Sequence, residues 1–223
     1  MIAIDGPVGA GKSTAARRLA DALGYIYIDS GAMYRAMGWQ AVRARVDLRD
    51  HPGLARLAAR TDIRVAAGPS GPRVLVDGAD VTTALRTPTI DEASSLVSTC
   101  SEVRERLVAL QRAMAKAGGV VMDGRDIGTV VFPDADLKFY LDADLSVRAS
   151  RRLGDLRQAG TPAELATVRA EVARRDERDR GRELSPLRAA PDAIRIDSTA
   201  LDADAVLGVM LAAVRKSSEP DNP

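Results

Sequence analysis

The chain has 223 residues, of which 46% are hydrophobic and 28% charged, and its formal net charge at pH 7 is +1. This composition is typical of a soluble globular protein. The balance of charge argues against a nucleic-acid-binding protein, which would present a net basic face. With one cysteine, Cys100, and one histidine, His51, an internal disulfide and a zinc site are excluded.

The start of the chain and its hydropathy bear on location. A phosphate-binding motif begins at residue 6, directly after the apolar run that starts at Ile2, so we expect no signal peptide. No apolar run approaches the ~18 residues that are needed to cross a bilayer. We therefore expect a cytoplasmic protein with neither a membrane nor a nucleic acid as partner.

Strand and helix patterns alternate from the N-terminus. Residues 2–5 predict a buried strand, and after a glycine-rich turn a helix is predicted over 12–23, with Gly24 as its stop. Residues 25–29 predict a second strand. Three more apolar runs fit the same parallel sheet: 119–122, 137–141 and 193–196. Helical patterns between them imply right-handed crossovers, so the predicted fold class is α/β, a five-stranded parallel sheet flanked by helices.

Two stretches interrupt this alternation. Residues 63–83 contain short strand patterns separated by Gly-Pro-Ser-Gly-Pro (68–72) and Asp77-Gly78, which are turn residues typical of hairpins. They predict a small antiparallel sheet in a subdomain inserted between the second and third core strands. The arginine-rich stretch 146–182 is either a solvated helical surface or a mobile lid over bound phosphates. Residues 217–223 are expected to form a flexible tail.

The glycine-rich turn carries the most informative motif. Residues 6–13 match G-x-x-x-x-G-K-[ST] without a mismatch, after a predicted strand and at the start of a predicted helix. Backbone N–H groups and the helix dipole attract anions at such a place. We expect Lys12 to reach the β and γ phosphates of ATP, and Ser13 to place its hydroxyl on Mg²⁺. The predicted ATP-binding residues are Gly6, Pro7, Val8, Gly9, Ala10, Gly11, Lys12, Ser13 and Thr14.

Other nucleotide-binding classes fit less well. A dinucleotide-binding fold requires G-x-G-x-x-G/A, and Thr14 occupies the third glycine position. A regulatory GTPase would read guanine with an Asn-Lys-x-Asp segment, whereas the only asparagine is Asn222. These exclusions favour a kinase that acts on a small molecule.

Three further segments carry a resemblance to a known family. These segments are Asp29-Ser-Gly-Ala-Met-Tyr-Arg35, Asp123-Gly-Arg-Asp-Ile-Gly-Thr-Val-Val-Phe-Pro133 and Arg175-Asp-Glu-Arg-Asp-Arg-Gly-Arg182. Together with the phosphate-binding loop they resemble the signature segments of bacterial cytidylate kinases, a group of P-loop nucleoside monophosphate kinases, over residues 1 to about 215.

The resemblance implies an activity and a domain organisation. The activity is phosphorylation of CMP and dCMP to CDP and dCDP, with ATP as phosphoryl donor and Mg²⁺ as cofactor, by a monomer. A single kinase domain would span 1–216. Its parts would be a P-loop NTPase core (1–29, 116–145 and 183–216), a monophosphate-binding region (about 30–115) and a lid (about 146–182).

The chemistry of this reaction agrees with the residue types. The second pKa of a monophosphate is near ~6, so the acceptor is already an anion at pH 7 and needs no general base. The reaction does need neutralisation of two crowded polyanions, in-line positioning and exclusion of water. Arginines that converge from several segments would meet this need.

The resemblance also implies roles for individual residues. Arg35, Arg125 and Arg182 would hold the acceptor phosphate, with Ser30 nearby. The residues implied to bind CMP are Ser30, Arg35, Ser95, Arg104, Arg125, Asp126, Arg175, Asp179 and Arg182. The residues implied in catalysis are Lys12, Arg125, Arg182 and the lid arginines Arg148 and Arg152.

Recognition of the base would rest on hydrogen bonding. Cytosine presents an N4 amino donor beside the N3 and O2 acceptors. Asp126 would accept from N4, Arg104 would donate to N3 and O2, and Ser95 would be the third contact, while Arg175 and Asp179 would hold the sugar. The residues leave two alternatives open: a P-loop kinase for another small acceptor, such as UMP or shikimate, and a nucleotide-dependent interaction module with little catalysis.

Overall fold

The computed structural model of the protein describes residues 1–66 and 72–218. Its strands are β1 (Ile2–Asp5), β2 (Ile26–Asp29), β3 (Ile63–Ala66), β4 (Arg73–Val76), β5 (Ala79–Asp80), β6 (Val120–Gly124), β7 (Leu137–Asp142) and β8 (Ile194–Asp197). Its helices are α1 (Lys12–Leu23), α2 (Ser30–Arg43), α3 (His51–Arg60), α4 (Pro88–Val97), α5 (Ser101–Met114), α6 (Leu145–Gln158), α7 (Leu165–Gly181) and α8 (Ala203–Ser218), with a short π-helical turn at Ile127–Val131.

The chain forms two compact units. One consists of Met1–Ile28 and Ala117–Pro223, and the other of Asp29–Lys116. We call them the core unit and the inserted unit. The assignment of the inserted unit as the monophosphate-binding region stays a prediction.

A five-stranded parallel sheet in the order β2-β6-β1-β7-β8 organises the core unit, which confirms the predicted fold class. β1 lies at its centre, parallel to β6 and to β7, and all four of its residues are buried. A central parallel strand is covered on both faces, which explains its continuous apolar run Ile2, Ala3 and Ile4. Because β1 and β6 both end at the same edge of the sheet, Asp5 lies beside Gly124 there.

Helix α1 has the bounds that the sequence predicts. Gly24 follows its last residue with φ 67°, and its N–H donates to carbonyl oxygens of the last turn, as is typical of a glycine that ends a helix. The buried face of α1, with Ala16 and Leu19, packs in one apolar cluster with Phe139 of β7 and Met210 of α8. This packing holds the start of α1, and with it the phosphate-binding loop, against the sheet.

The inserted unit contains the predicted antiparallel sheet. β3, β4 and β5 pair in that order. Asp77 and Gly78 both have positive φ, 49° and 83°, as a type I′ hairpin turn requires. Of the predicted Gly-Pro-Ser-Gly-Pro turn, residues 68–71 lie outside the described residues. Helices α2, α3 and α5 bury their apolar faces in one cluster with this sheet.

The arginine-rich stretch is a pair of helices. α6 and α7 share a small apolar cluster of Leu153, Leu156, Val168 and Val172. It is therefore a packed element with its own hydrophobic contacts, and its role as a lid stays a prediction. α8 continues to Ser218, so the first two residues of the expected tail are helical, and the flexibility of this tail stays a prediction. Residues 219–223 lie outside the described residues.

Close contact between α2 and α4 makes Gly38 a sensitive position. A Cβ at Gly38 would lie 2.9 Å from the backbone nitrogen of Ser94. We expect Gly38→Ala to lower the free energy of unfolding by about 1–3 kcal/mol, because the two helices must separate. Gly208 lies within α8 and a Cβ there meets nothing within 4 Å, so Gly208→Ala is the matched control. We expect Gly208→Ala to raise the free energy of unfolding by about 0.4–1 kcal/mol. Urea unfolding measures both, and equal effects of the two substitutions would contradict the explanation.

Candidate active site

The phosphate-binding loop turns so tightly that two positions admit only glycine. Gly6 has φ 147°, and a Cβ there would lie 1.9 Å from the carbonyl oxygen of Leu141. Gly9 has φ 76°, and its Cβ would lie 2.6 Å from the carbonyl oxygen of Arg148. The loop thus leads from β1 into α1 with its backbone pressed against β7 and α6, and Ser13 and Thr14 are exposed in the first turn of α1.

Lys12 lies across this loop. Its side chain is buried, and Nζ donates to the carbonyl oxygen of Pro7 at 2.7 Å. Burial lowers the pKa of Lys12 to about 7, the charge of Arg125 acts in the same direction, and Asp123 opposes them. A polyphosphate in the loop would bring negative charge that favours the protonated amine.

Ser13 and Asp123 form an oxygen-rich pair beside the loop. Asp123, at the end of β6, is buried and accepts from the Ser13 hydroxyl through Oδ2 and from the Tyr27 hydroxyl through Oδ1, both at 2.9 Å. A hydroxyl and a carboxylate are ligands that Mg²⁺ prefers, and P-loop enzymes hold Mg²⁺ with a loop serine and an aspartate of this kind. The residues therefore fit the ion. Within residues 1–66 and 72–218, no group of three or more His, Cys, Asp or Glu side chains could hold a metal.

Asp5 joins the phosphate-binding loop to the turn that follows Arg125 and Asp126. Its buried carboxylate accepts the backbone N–H groups of Ile127 and Gly128, each at 2.8 Å. These two residues begin the π-helical turn, directly after Arg125 and Asp126. The carboxylate that precedes Gly6 thus fixes the backbone that carries two predicted CMP contacts.

Arg125, Asp179 and Arg182 form a charge cluster in which Asp179 is buried and both arginines are half-buried. Arg125 Nε donates to Asp179 Oδ2 at 3.0 Å, and Arg182 Nη2 lies 3.5 Å from Asp179 Oδ1. Burial alone would raise the pKa of Asp179, but the charges of Arg125, Arg182 and Arg175 together outweigh it and hold the pKa below its ordinary value. Asp179 therefore stays ionised and orients the arginines.

The core unit brings together most of the predicted phosphate and sugar contacts. Arg175 on α7 interacts electrostatically with both Lys12 and Asp179. Asp126 is buried and interacts electrostatically with Asp5. Cationic groups from three sequence segments, those of Lys12, Arg125 and residues 175–182, thus interact within the core unit.

The other predicted CMP contacts belong to the inserted unit. Asp29 accepts the N–H of Ala32 at the start of α2 and holds Arg35 by an ion pair of 2.6 Å. Ser30, the first residue of α2, is buried. Arg35 is thereby oriented by an acid from its own signature segment.

Arg104 is placed by an aromatic ring. Its guanidinium lies 5.5 Å from the centroid of the Tyr34 ring, and Nη1 donates to the carbonyl oxygen of Ser98 at 3.4 Å. The residue is buried, as is Ser95 on α4. A buried guanidinium on an aromatic face is held in one plane, which suits recognition of a planar ligand.

Arg148, one of the two lid arginines that are predicted to act in catalysis, makes three polar contacts within the protein. Nε donates to the carbonyl oxygen of Ala143 at 2.8 Å, and Nη1 donates to that of Val8 at 3.2 Å. Nη1 also lies 2.6 Å from Asp176 Oδ2. Arg152 is half-buried on the same helix. The predicted contact of either residue with the transferring phosphoryl group stays a prediction.

Several residues that shape this site are not among those predicted from the sequence. Asp5 and Asp123 each end an apolar strand, and a carboxylate directly after a buried parallel strand is a signal that could have found them. Asp176 and Ser198 carry no such signal, because their positions depend on the packing of α6, α7 and β8.

None of the helices in the described part of the chain is both long and apolar enough to cross a membrane.

A central parallel strand, a glycine-rich loop and a helix that starts at the loop lysine define the class of P-loop nucleoside triphosphate-binding proteins. The solved structure of an uncharacterised protein from Eubacterium ventriosum shares the fold, with a TM-score of 0.53 and 12% identity over 96% of this chain and 97% of that one.

Comparison of sequences identifies the family. The model of the cytidylate kinase family matches residues 2–216. A cytidylate kinase of Symbiobacterium thermophilum is 49% identical over 218 residues, 97% of this chain and 96% of that protein. One of Pelotomaculum thermopropionicum is 50% identical over 214 residues, 96% of this chain and 95% of that protein. The chain belongs to the cytidylate kinase family.

The buried carboxyl of Asp5 predicts a dependence of stability on pH. Burial raises its pKa to about 7, although the two backbone N–H groups act in the opposite direction. Between about pH 4 and 7 the folded chain therefore keeps a proton that the unfolded chain has lost, so this contribution to stability falls as pH rises. We expect the wild-type free energy of unfolding, minus that of Asp5→Asn, to fall by about 1.4 kcal/mol per pH unit at most. Urea unfolding at pH 4.5 to 8 measures it, and a difference that rises with pH would contradict the prediction.

Proposed function

We propose that the protein transfers the γ-phosphoryl group of ATP to CMP and dCMP. The observation that carries this proposal is the charge cluster of Lys12, Arg125, Asp179 and Arg182 next to the phosphate-binding loop, in a chain of the cytidylate kinase family. Such a cluster suits a reaction between two phosphate groups, because its cations neutralise charge that would otherwise repel.

The acceptor phosphate supplies its own nucleophile. A phosphate oxygen of CMP attacks the γ-phosphorus of ATP, the bond from that phosphorus to the β–γ bridging oxygen breaks, and ADP leaves. Arg125 and Arg182, oriented by Asp179, would hold the acceptor phosphate in line, and Arg35, oriented by Asp29, would bind the same group. Lys12 would stabilise the charge that develops on the β and γ oxygens.

The remaining assignments extend the same proposal. Ser13 and Asp123 would hold Mg²⁺, which when bound neutralises charge on the β and γ phosphates. Ser95, Arg104 and Asp126 would read the cytosine, Arg175 and Asp179 would bind the sugar, and Ser30 would lie near the acceptor phosphate. The inserted unit would then be the monophosphate-binding region, and α6 with α7 the lid. We expect the reaction to take place in the cytoplasm.

A panel of acceptors tests the proposal. We expect ADP release from MgATP to be fast with CMP and dCMP, and kcat/KM to be lower by about 10- to 100-fold or more with UMP, because uracil sets a carbonyl against the Asp126 carboxylate. AMP and GMP complete the panel. Lys12→Ala should reduce kcat by at least about 100-fold without loss of the circular dichroism spectrum. Preference for another monophosphate would overturn the acceptor assignment, and near-normal turnover by Lys12→Ala would overturn the mechanism.

Asp126 gives a sharper test of base recognition. In Asp126→Asn the side chain can donate to the uracil O4 as well as accept from the cytosine N4. We expect the ratio of kcat/KM for CMP to that for UMP to fall by about 10- to 100-fold, with the KM for ATP nearly unchanged. Arg157→Ala, an exposed position on α6, is the control and should leave the ratio intact. An unchanged ratio in Asp126→Asn would remove this residue from base recognition.

A further inference from the structure

Side chains from outside the motif hold two carbonyl groups of the phosphate-binding loop. Arg148 Nη1 donates to the carbonyl oxygen of Val8 at 3.2 Å, and Ser198 Oγ donates to that of Ala10 at 3.1 Å. Arg148 lies on α6, whereas Ser198 directly follows β8. Arg148 and Ser198 are buried, with 4% and 2% of their surface exposed. The two loop carbonyl groups are therefore held by donors that lie inside the protein.

A carbonyl held on one side directs an N–H group to the other. The described residues contain no cis peptide bond. In a planar trans peptide, the C=O of one residue and the N–H of the next point in opposite directions. The bond to Val8 therefore turns the Gly9 N–H away from Arg148, and the bond to Ala10 turns the Gly11 N–H away from Ser198. Backbone N–H groups of this loop are the phosphate ligands of the P-loop class.

Ser198 is itself oriented by a neighbouring arginine. Arg151 Nη1 donates to Ser198 Oγ at 3.0 Å, and Arg151 Nη2 donates to the carbonyl oxygen of Ser198 at 2.7 Å. A hydroxyl has one hydrogen to donate. Because the guanidinium already donates to Oγ, the hydroxyl hydrogen is directed to the Ala10 carbonyl oxygen. The adjacent positive charge also strengthens this donor.

Arg148 is likewise held in place by other groups of the protein. Its guanidinium also binds the Ala143 carbonyl oxygen and the buried carboxylate of Asp176 on α7. To reach a transferring phosphoryl group, Arg148 would have to leave a buried ion pair, which is costly because Asp176 would keep an uncompensated charge.

We propose that Arg148, and Ser198 together with Arg151, are positioning residues that turn the Gly9 and Gly11 N–H groups of the loop toward the bound polyphosphate. This inference rests on the proposed function insofar as the polyphosphate is that of ATP. It assigns Arg148 to the loop backbone, in place of the phosphoryl contact predicted from the sequence. It also gives a role to Arg151 and Ser198, which lie outside every signature segment.

Binding of MgADP tests the inference without any acceptor. Ser198→Ala removes one hydroxyl group and changes the volume of the side chain very little. We expect the Kd for MgADP, measured by calorimetry, to rise roughly tenfold, with a similar rise in the KM for MgATP. The KM for CMP should change by less than about twofold. Ser198→Thr keeps the hydroxyl and should restore binding to within about threefold of the wild type, and Arg157→Ala should behave as the wild type.

Several results would overturn the inference. They are wild-type binding of MgADP by Ser198→Ala, failure of Ser198→Thr to bind more tightly than Ser198→Ala, and an equal rise of both KM values. If Ser198→Ala does not fold, Arg151→Met tests the same hydroxyl through a half-buried side chain, and an unchanged Kd then overturns the inference. Absence of turnover with CMP in a wild type that shows the expected MgADP pattern would overturn the proposed function and leave this inference standing.

Discussion

The candidate site depends most on the hydrogen bonds that the Asp5 carboxylate accepts from the backbone of Ile127 and Gly128. This carboxylate stands at the end of the central strand, next to the first glycine of the phosphate-binding loop, and it binds the two N–H groups that begin the turn after Arg125 and Asp126. A buried carboxylate is unfavourable unless donors satisfy it, and here both donors come from the backbone of another segment. The segment proposed to bind the donor nucleotide and the segment proposed to bind the acceptor are therefore linked by one side chain.

Acids pair with three of the arginines that are predicted to bind or position phosphates. Arg35 is paired with Asp29, Arg125 with Asp179, and Arg148 with Asp176, in each case within one unit. The acids fix the planes of these guanidinium groups before any ligand arrives. Such preorganisation lowers the cost of orienting charge during the reaction, which matters most when two polyanions must approach each other. The formal net charge of +1 thus reflects cations that are balanced locally by acids.

Much of the fold could be predicted because its signals are local. The bounds of α1 follow from Gly11 and Gly24, whose backbone conformations favour glycine, and the β4–β5 hairpin follows from Asp77-Gly78. The parallel sheet follows from apolar strands separated by helices. The end of α8 could not be predicted, since the helical spacing fades over the polar residues that follow Lys216. Asp5 and Asp123 carried a readable signal at the ends of their strands.

The sequence by itself determined the class of protein, the phosphate-binding loop and the three segments that resemble cytidylate kinases, because each is encoded by contiguous residues whose chemistry can be read without the fold. Tertiary structure alone decided which side chains support that loop. Ser198 lies 188 residues from Ala10 and Arg148 lies 140 from Val8, yet each donates to a carbonyl of the loop. Hydrogen bonds depend on distance in space, and only the pairing of β8 with β7 and the close approach of α6 to Gly9 bring these donors within reach.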